Sequence, residues 1–134
     1  MVRTLLAFGC ATVLAACTVA DGAPANPDFA DEAALAAGQS VGPPKDCLTM
    51  RDIDRTKVVS DRVVDFMMKN HDVYRSTLAI SCANLRAYGR FTYRTTVSRL
   101  CSSDVITVVD TSGHIGTTCG LGPFQRIDVP RSYH

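Results

Sequence analysis

No stretch of the sequence reaches the ~20 consecutive apolar residues that a membrane-spanning helix requires, so none is expected. There is no Cys-x-x-Cys pair, and the separations of 35, 19 and 18 residues between successive cysteines from Cys47 onward fit no zinc finger or knuckle. Gly-x-Ser-x-Gly, His-Glu-x-x-His and Ser-x-x-Lys are all absent, and nothing marks a paired-carboxylate site, so no recognised catalytic signature is available. Charge of one sign is missing too. Lys plus Arg number 14 against 13 Asp plus Glu, a net charge of +1, which excludes an extreme polyanion binder. With 134 residues, 46% of them hydrophobic, the chain has room for one domain and little more.

What is present begins with an address. Residues 1–16 carry one charge, Arg3, ahead of the apolar and small run Leu5 to Ala16, with no acidic residue, which is the pattern of an export signal. The run ends in Leu14-Ala15-Ala16-Cys17, which resembles the lipobox of bacterial lipoproteins. Small residues there let an extended backbone enter a signal peptidase cleft, and the Cys17 thiol is the group that takes the diacylglyceryl chain. Each buried CH₂ contributes about 0.8 kcal/mol, so two or three acyl chains hold a soluble domain on a membrane. Thr18 stands where an Asp resembles an inner-membrane retention signal, which favours an outer-membrane lipoprotein facing the periplasm.

Residues 17–46 read as the lipidated Cys and a flexible tether rich in Ala, Pro and Asp. From residue 18 to 46 there are five acidic groups against Lys45 alone, a balance of minus 4. Asp31 to Ala37 offers only a marginal helical turn, with Asp31 as N-cap and Gly38 as stop.

At Cys47 the composition changes. Residues 47–134 hold twelve basic against eight acidic groups, and Val, Ile, Thr and Tyr occur in short runs between Gly, Asn, Asp and Ser clusters, the pattern of an all-β fold. Strands are expected at Cys47 to Arg51, Thr56 to Ser60, Arg62 to Lys69, Val73 to Ile80, Arg90 to Val97, Val105 to Val109 and Phe124 to Val129, the second and third joining if Asp61 is only a bend. Asn70-His71-Asp72 supplies a turn that tolerates the left-handed region. Ser81 to Tyr88 reads as a helical turn closed by Gly89, and Thr111 to Thr118 as a loop. The spacing of Val63 with Met67 and Val64 with Met68 also suits a helix, so 61–69 is open between the two.

About six strands in 88 residues are most economically closed into a small antiparallel barrel or roll, which leaves no long edge exposed. Burial at about 25 cal/mol per Å² against ~1.5 kcal/mol per ordered residue comes out near zero at this size, so covalent staples are expected. Cys10 leaves with the signal and Cys17 is lipidated, which leaves Cys47, Cys82, Cys101 and Cys119 for two disulfides. Barrel closure would make the opening and final strands neighbours, pairing Cys47 with Cys119; Cys82 and Cys101 then pair across the strand between them.

The segments Val59-Ser60-Asp61-Arg62, Val73-Tyr74, Cys82-Ala83-Asn84-Leu85-Arg86, Phe91-Thr92-Tyr93-Arg94, Leu100-Cys101, Asp104-Val105-Ile106-Thr107-Val108 and Cys119-Gly120-Leu121-Gly122-Pro123-Phe124, with Cys47 before them, resemble an uncharacterised family of small exported proteobacterial proteins. The resemblance covers nearly all of the domain. It implies a domain of unknown function behind a lipoprotein signal, with no assigned catalytic residues.

His71 sits in a turn, His134 at the end and His114 in a Gly-containing loop; a solvated role explains each, and no catalytic residue is assigned. Ten of the domain's twelve basic residues are Arg, and Arg75, Arg86, Arg90, Arg94 and Arg99 fall on or beside the central strands opposite the apolar face. Guanidinium forks match carboxylate and phosphate, so this face is the candidate anion-binding surface, for peptidoglycan carboxylates, lipid A phosphates or an acidic protein. Compartment disfavours nucleic acid, and no cofactor or metal is expected. The function expected is a non-enzymatic envelope binding or accessory module. Small barrel lipoproteins that inhibit lysozyme are similar in size, anchor and Cys content, although their Ser-Gly and Tyr-with-Lys loop signatures are absent here; a small hydrolase using a loop His is the enzymatic alternative. Globomycin, or Cys17→Ala, is expected to arrest maturation, so that the leader persists in the mass spectrum and the membrane fraction loses the chain.

Overall fold

The computed structural model describes residues 38–95 and 97–134. The leader, Cys17, the Asp31 to Ala37 turn and Thr96 lie outside the described residues.

Among the described residues the strands are β1 (Gln39–Ser40), β2 (Cys47–Thr49), β3 (Ile53–Ser60), β4 (Val63–Met68), β5 (Val73–Thr77), β6 (Phe91–Tyr93), β7 (Arg99–Cys101), β8 (Val105–Val109), β9 (Ile115–Gly120) and β10 (Phe124–Asp128), with one short helix, α1 (Leu85–Tyr88). All ladders among the described residues are antiparallel, an all-β fold with one α-helical turn and two 3₁₀ turns, Met50–Asp52 and Arg131–Tyr133. The ladders form three sheets rather than one six-stranded ring: β1-β10-β5-β4-β3, β2-β7 and β6-β8-β9.

Segment 61–69 is strand, not helix. β4 has β3 on one side and β5 on the other, with Phe66 opposite both Thr56 and Tyr74, and this two-sided pairing imposes a period of two. Val64 and Phe66 therefore face the main core, while Val63, Asp65 and Met67 face the opposite side, and all five are buried. Asp61 and Arg62 form a hairpin turn between β3 and β4, so the two stretches around Asp61 are separate strands. The next turn takes its left-handed residue at His71, φ 70°, while Asn70 Oδ1 accepts from the Asp72 N–H at 3.1 Å. Gly89, φ 60°, closes α1.

The main core fills the space between the sheets. Phe66 packs edge-on to Phe124 at 5.4 Å and to Phe91 at 6.4 Å, among Val64, Tyr74, Leu78, Leu85, Leu100, Ile106 and Val108. Gly122 runs against the β5 backbone so closely that a Cβ there would overlap the Thr77 carbonyl oxygen. Ser76 Oγ clamps it, donating to the Gly122 carbonyl at 2.9 Å and accepting its N–H at 3.0 Å.

Three expectations are corrected. The folded unit starts before Cys47: Gln39 and Ser40 pair with β10, and Lys45 exchanges backbone hydrogen bonds with Phe124 at 2.8 and 2.9 Å, so 38–46 belong to the domain rather than the tether. The second half of the Thr111 to Thr118 loop belongs to β9, whose exposed, Gly-containing edge lacks the apolar alternation that announces a strand. The disulfides are Cys47–Cys101 and Cys82–Cys119, not Cys47 with Cys119 and Cys82 with Cys101. The physical reason is the β2–β7 ladder, which sets Cys47 directly opposite Cys101 with Cα atoms 4.0 Å apart, while Cys119 lies opposite Ile106 on β8. There the buried Cys82 beside α1 reaches it.

Peptide mapping of the oxidised, unreduced chain is expected to yield only these two bridges and no alkylatable thiol among the four cysteines. Replacing Cys82 and Cys119 together by Ala is expected to cost about 2–5 kcal/mol, measured as a lowered urea midpoint.

Candidate functional site

The five candidate arginines do not share a face. Arg75 lies on β5 in the five-stranded sheet, Arg86 on α1, Arg90 and Arg94 flank β6, and Arg99 opens β7. Arg86, Arg90, Arg94 and Arg99 are exposed. Arg75 is not, and its place in an anion-binding surface is corrected, because its guanidinium is already engaged by Asp65 across β4 and β5. Nε donates to Asp65 Oδ1 and Nη2 to Oδ2, each at 2.8 Å. Asp65 has 0% exposure and Arg75 7%. Tyr133, from the 3₁₀ turn Arg131–Tyr133, donates its hydroxyl to Asp65 Oδ2. Lys57 Nζ covers the Tyr133 ring at 3.8 Å from its centroid. A small apolar cluster of Met67, Val73 and Ile127, with Val129 and Tyr133, packs beside this polar group.

This packing changes the titration of two groups. The hydrogen bond to Asp65 raises the Arg75 pKa further, outweighing its burial. Burial, and then the hydrogen bond to Asp65, pushes the Tyr133 phenol up to about 12.

The histidines separate into two places. His114 lies in the β8–β9 turn with its side chain 82% exposed and Nδ1 3.2 Å from Asp110 Oδ2. Asp110 also accepts the N–H groups of Ser112 and His114, and the latter is the first cause of its lowered pKa. These contacts describe a turn held by its own Asp, and no hydroxyl is hydrogen-bonded to the imidazole among the described residues. His71 and His134 meet edge-on with ring centroids 5.9 Å apart and line two small clefts of about 260 and 180 Å³. Sequence reading missed this contact, which depends on the C-terminal segment folding back over the sheet.

A further cleft, of about 360 Å³, lies elsewhere. One wall is β2, with Cys47, Leu48 and Thr49; the other is the β4–β5 turn, with Met68, Lys69, Asn70 and Asp72; Lys45, Asp52 and Tyr74 complete it. The rigidity of both walls has local causes. The β2 wall is tied by Cys47–Cys101, and the turn is tied by the Lys69 N–H donating to the Asp52 carbonyl at 2.9 Å. Asp72 is ion-paired to Arg126 at 2.9 Å, and Asp52 lies 3.9 Å from the Arg51 guanidinium. Lys45 Nζ stands 4.8 Å from the Tyr74 ring centroid, and neither Lys45 nor Lys69 has a carboxylate partner among the described residues. The cleft can thus receive a carboxylate or another anion. The one sequence signal for it is Lys45, the lone base of an otherwise acidic stretch directly before Cys47.

Arg75→Met is expected to destabilise the fold by about 3–5 kcal/mol by leaving the Asp65 charge buried alone, whereas Asp65→Leu with Arg75→Met is expected to recover most of that loss, both read from urea midpoints. Because the folded Tyr133 phenol titrates near 12 and the unfolded one near 10.0, the unfolded state loses its proton first. The stability from this group is complete below pH 10 and is lost as pH rises through 12. Tyr133→Phe is expected to flatten that alkaline decline in a denaturation series.

In comparisons with known proteins, no family model, no curated protein and no solved structure matches this chain.

Proposed function

We propose that the chain is a lipid-anchored protein of the cell envelope whose disulfide-bonded β domain is a non-enzymatic binding or accessory module for an anionic envelope component. The observation that carries the reading is the cleft between β2 and the β4–β5 turn, where the Lys45 and Lys69 ammonium groups have no carboxylate partner among the described residues, Asp72 is ion-paired to Arg126 and Asp52 lies 3.9 Å from the Arg51 guanidinium. A site of this composition attracts an anion without acting on it, since no lining side chain is a hydrogen-bonded nucleophile and base. Its volume lies at the small end of ligand pockets, suited to part of a larger partner. The export pattern ending in Leu14-Ala15-Ala16-Cys17 supplies the anchor, and the disulfides fit an oxidising compartment.

Crosslinking in the intact envelope tests the reading, with a photoreactive residue at Asn70 beside the cleft and another at Thr92 on the three-stranded sheet. The expected result is a defined adduct to peptidoglycan, lipid A or an acidic envelope protein in the membrane fraction. Recovery of the chain without lipid and without any adduct would overturn it.

A further inference from the structure

We infer that the outer edge of β2 is a docking edge for an extended acidic peptide segment of an envelope protein, which adds to the β2–β7 pair as a third strand. This rests on the binding reading above and names its ligand class.

The inference starts from the hydrogen-bond register. The Ser102 N–H donates to the Asp46 carbonyl at 2.7 Å and the Met50 N–H to the Ser98 carbonyl at 3.1 Å. With Leu48 opposite Leu100, these bonds make Asp46, Leu48 and Met50 the hydrogen-bonded positions of the ladder. Cys47 and Thr49 are then the alternate positions, whose N–H and C=O groups point away from β7. The 4.0 Å separation of the Cys47 and Cys101 Cα atoms agrees, being close to the spacing of a non-hydrogen-bonded pair.

Among the described residues those groups meet no partner strand, since β2 pairs there with β7 alone. The outer side of β2 is instead a wall of the 360 Å³ cleft. A segment lying there antiparallel can exchange a pair of main-chain hydrogen bonds with Cys47 and another with Thr49, the mode of recognition in which backbone bonds hold the peptide and flanking side chains choose it. The choice here falls to charge. Lys45 and Lys69 are exposed at the cleft without carboxylate partners among the described residues, while of the two acids in the lining Asp72 is ion-paired to Arg126 and Asp52 lies 3.9 Å from the Arg51 guanidinium. An acidic segment is complementary and a basic one is repelled. The Cys47–Cys101 bridge holds the edge in place before the peptide arrives, which reduces the ordering cost of binding.

The experiment is selection of a random heptapeptide display library on the purified full chain, followed by synthesis of the retained sequences with blocked termini. The expected outcome is enrichment in Asp and Glu among strand-forming residues. Binding is expected to fall at least tenfold in the Lys45→Glu, Lys69→Glu double variant, and to vanish when alternate peptide nitrogens are methylated. The Cys47 and Thr49 amides are expected to become protected from hydrogen exchange when peptide binds, whereas Leu48 is protected throughout. A library that retains nothing, retained peptides without acidic bias, or N-methylated peptides that bind equally well would each overturn the inference. So would a carbodiimide crosslink from Lys45 or Lys69 to Asp28, Asp31 or Glu32 of the same chain, or a dimer formed through β2. Crosslinking at Thr92 separates the two ideas, because an envelope partner captured there, with the library test failing, would leave the binding module standing and remove only the β2 edge.

Discussion

A carboxylate with no contact to solvent is tolerated only where both oxygens are met, and in this fold that condition is satisfied at Asp65 by a residue directly opposite on the next strand. The two Asp65–Arg75 hydrogen bonds fix the β4–β5 register, since a slip of one residue would send Asp65 into the core among Phe66 and Phe124 and turn Phe66 outward. They also require the C-terminal segment, because the remaining exposure of the pair is closed by Tyr133 and the residues packed beside it. Two faces of one hairpin are thus covered by different means, apolar packing on one and a satisfied polar group on the other.

The second sheet pair is held differently. β2 and β7 have only three residues each, too few to persist by backbone pairing alone, and they are joined covalently at Cys47–Cys101 and packed through Leu48 and Leu100. Cys82–Cys119 similarly ties the loop before α1 to β9. The staples therefore sit at one short ladder and at one sheet edge. The cleft beside β2 opens next to one of them.

The alternating stretches were readable in advance only in part: β5 ends at Thr77 and leaves Ile80 exposed, and Arg90 to Val97 keeps only Phe91–Tyr93 as strand with Val97 exposed. Tyr74, Ser76 and Leu78 all turn to the buried side of β5 and the segment after it, and the Asn70-His71-Asp72 turn arises from residues that accept the left-handed region. β1, β7 and β9 were not readable, being two or three residues long or exposed along their length. Cysteine pairing depends on which strands become neighbours, which spacing does not state. The cleft was hidden for the same reason: Lys45 is two residues from Cys47 in sequence, but Lys69 and Tyr74 come to it only through tertiary packing. Arg75 looked like a surface cation because alternation places it opposite the apolar face, and only the covering C-terminal turn makes that side an interior.

The way the chain enters the domain has a mechanical meaning. β1 contributes only Gln39 and Ser40 to the edge of the five-stranded sheet, with the Val41 and Lys45 backbone bonds to β10 after it. Tension applied from the N-terminal side would unzip those few bonds and then halt at Cys47, where the load passes through sulfur into β7. Whatever strain arrives from the N-terminal side, the strand that forms the cleft wall is the point at which unravelling stops.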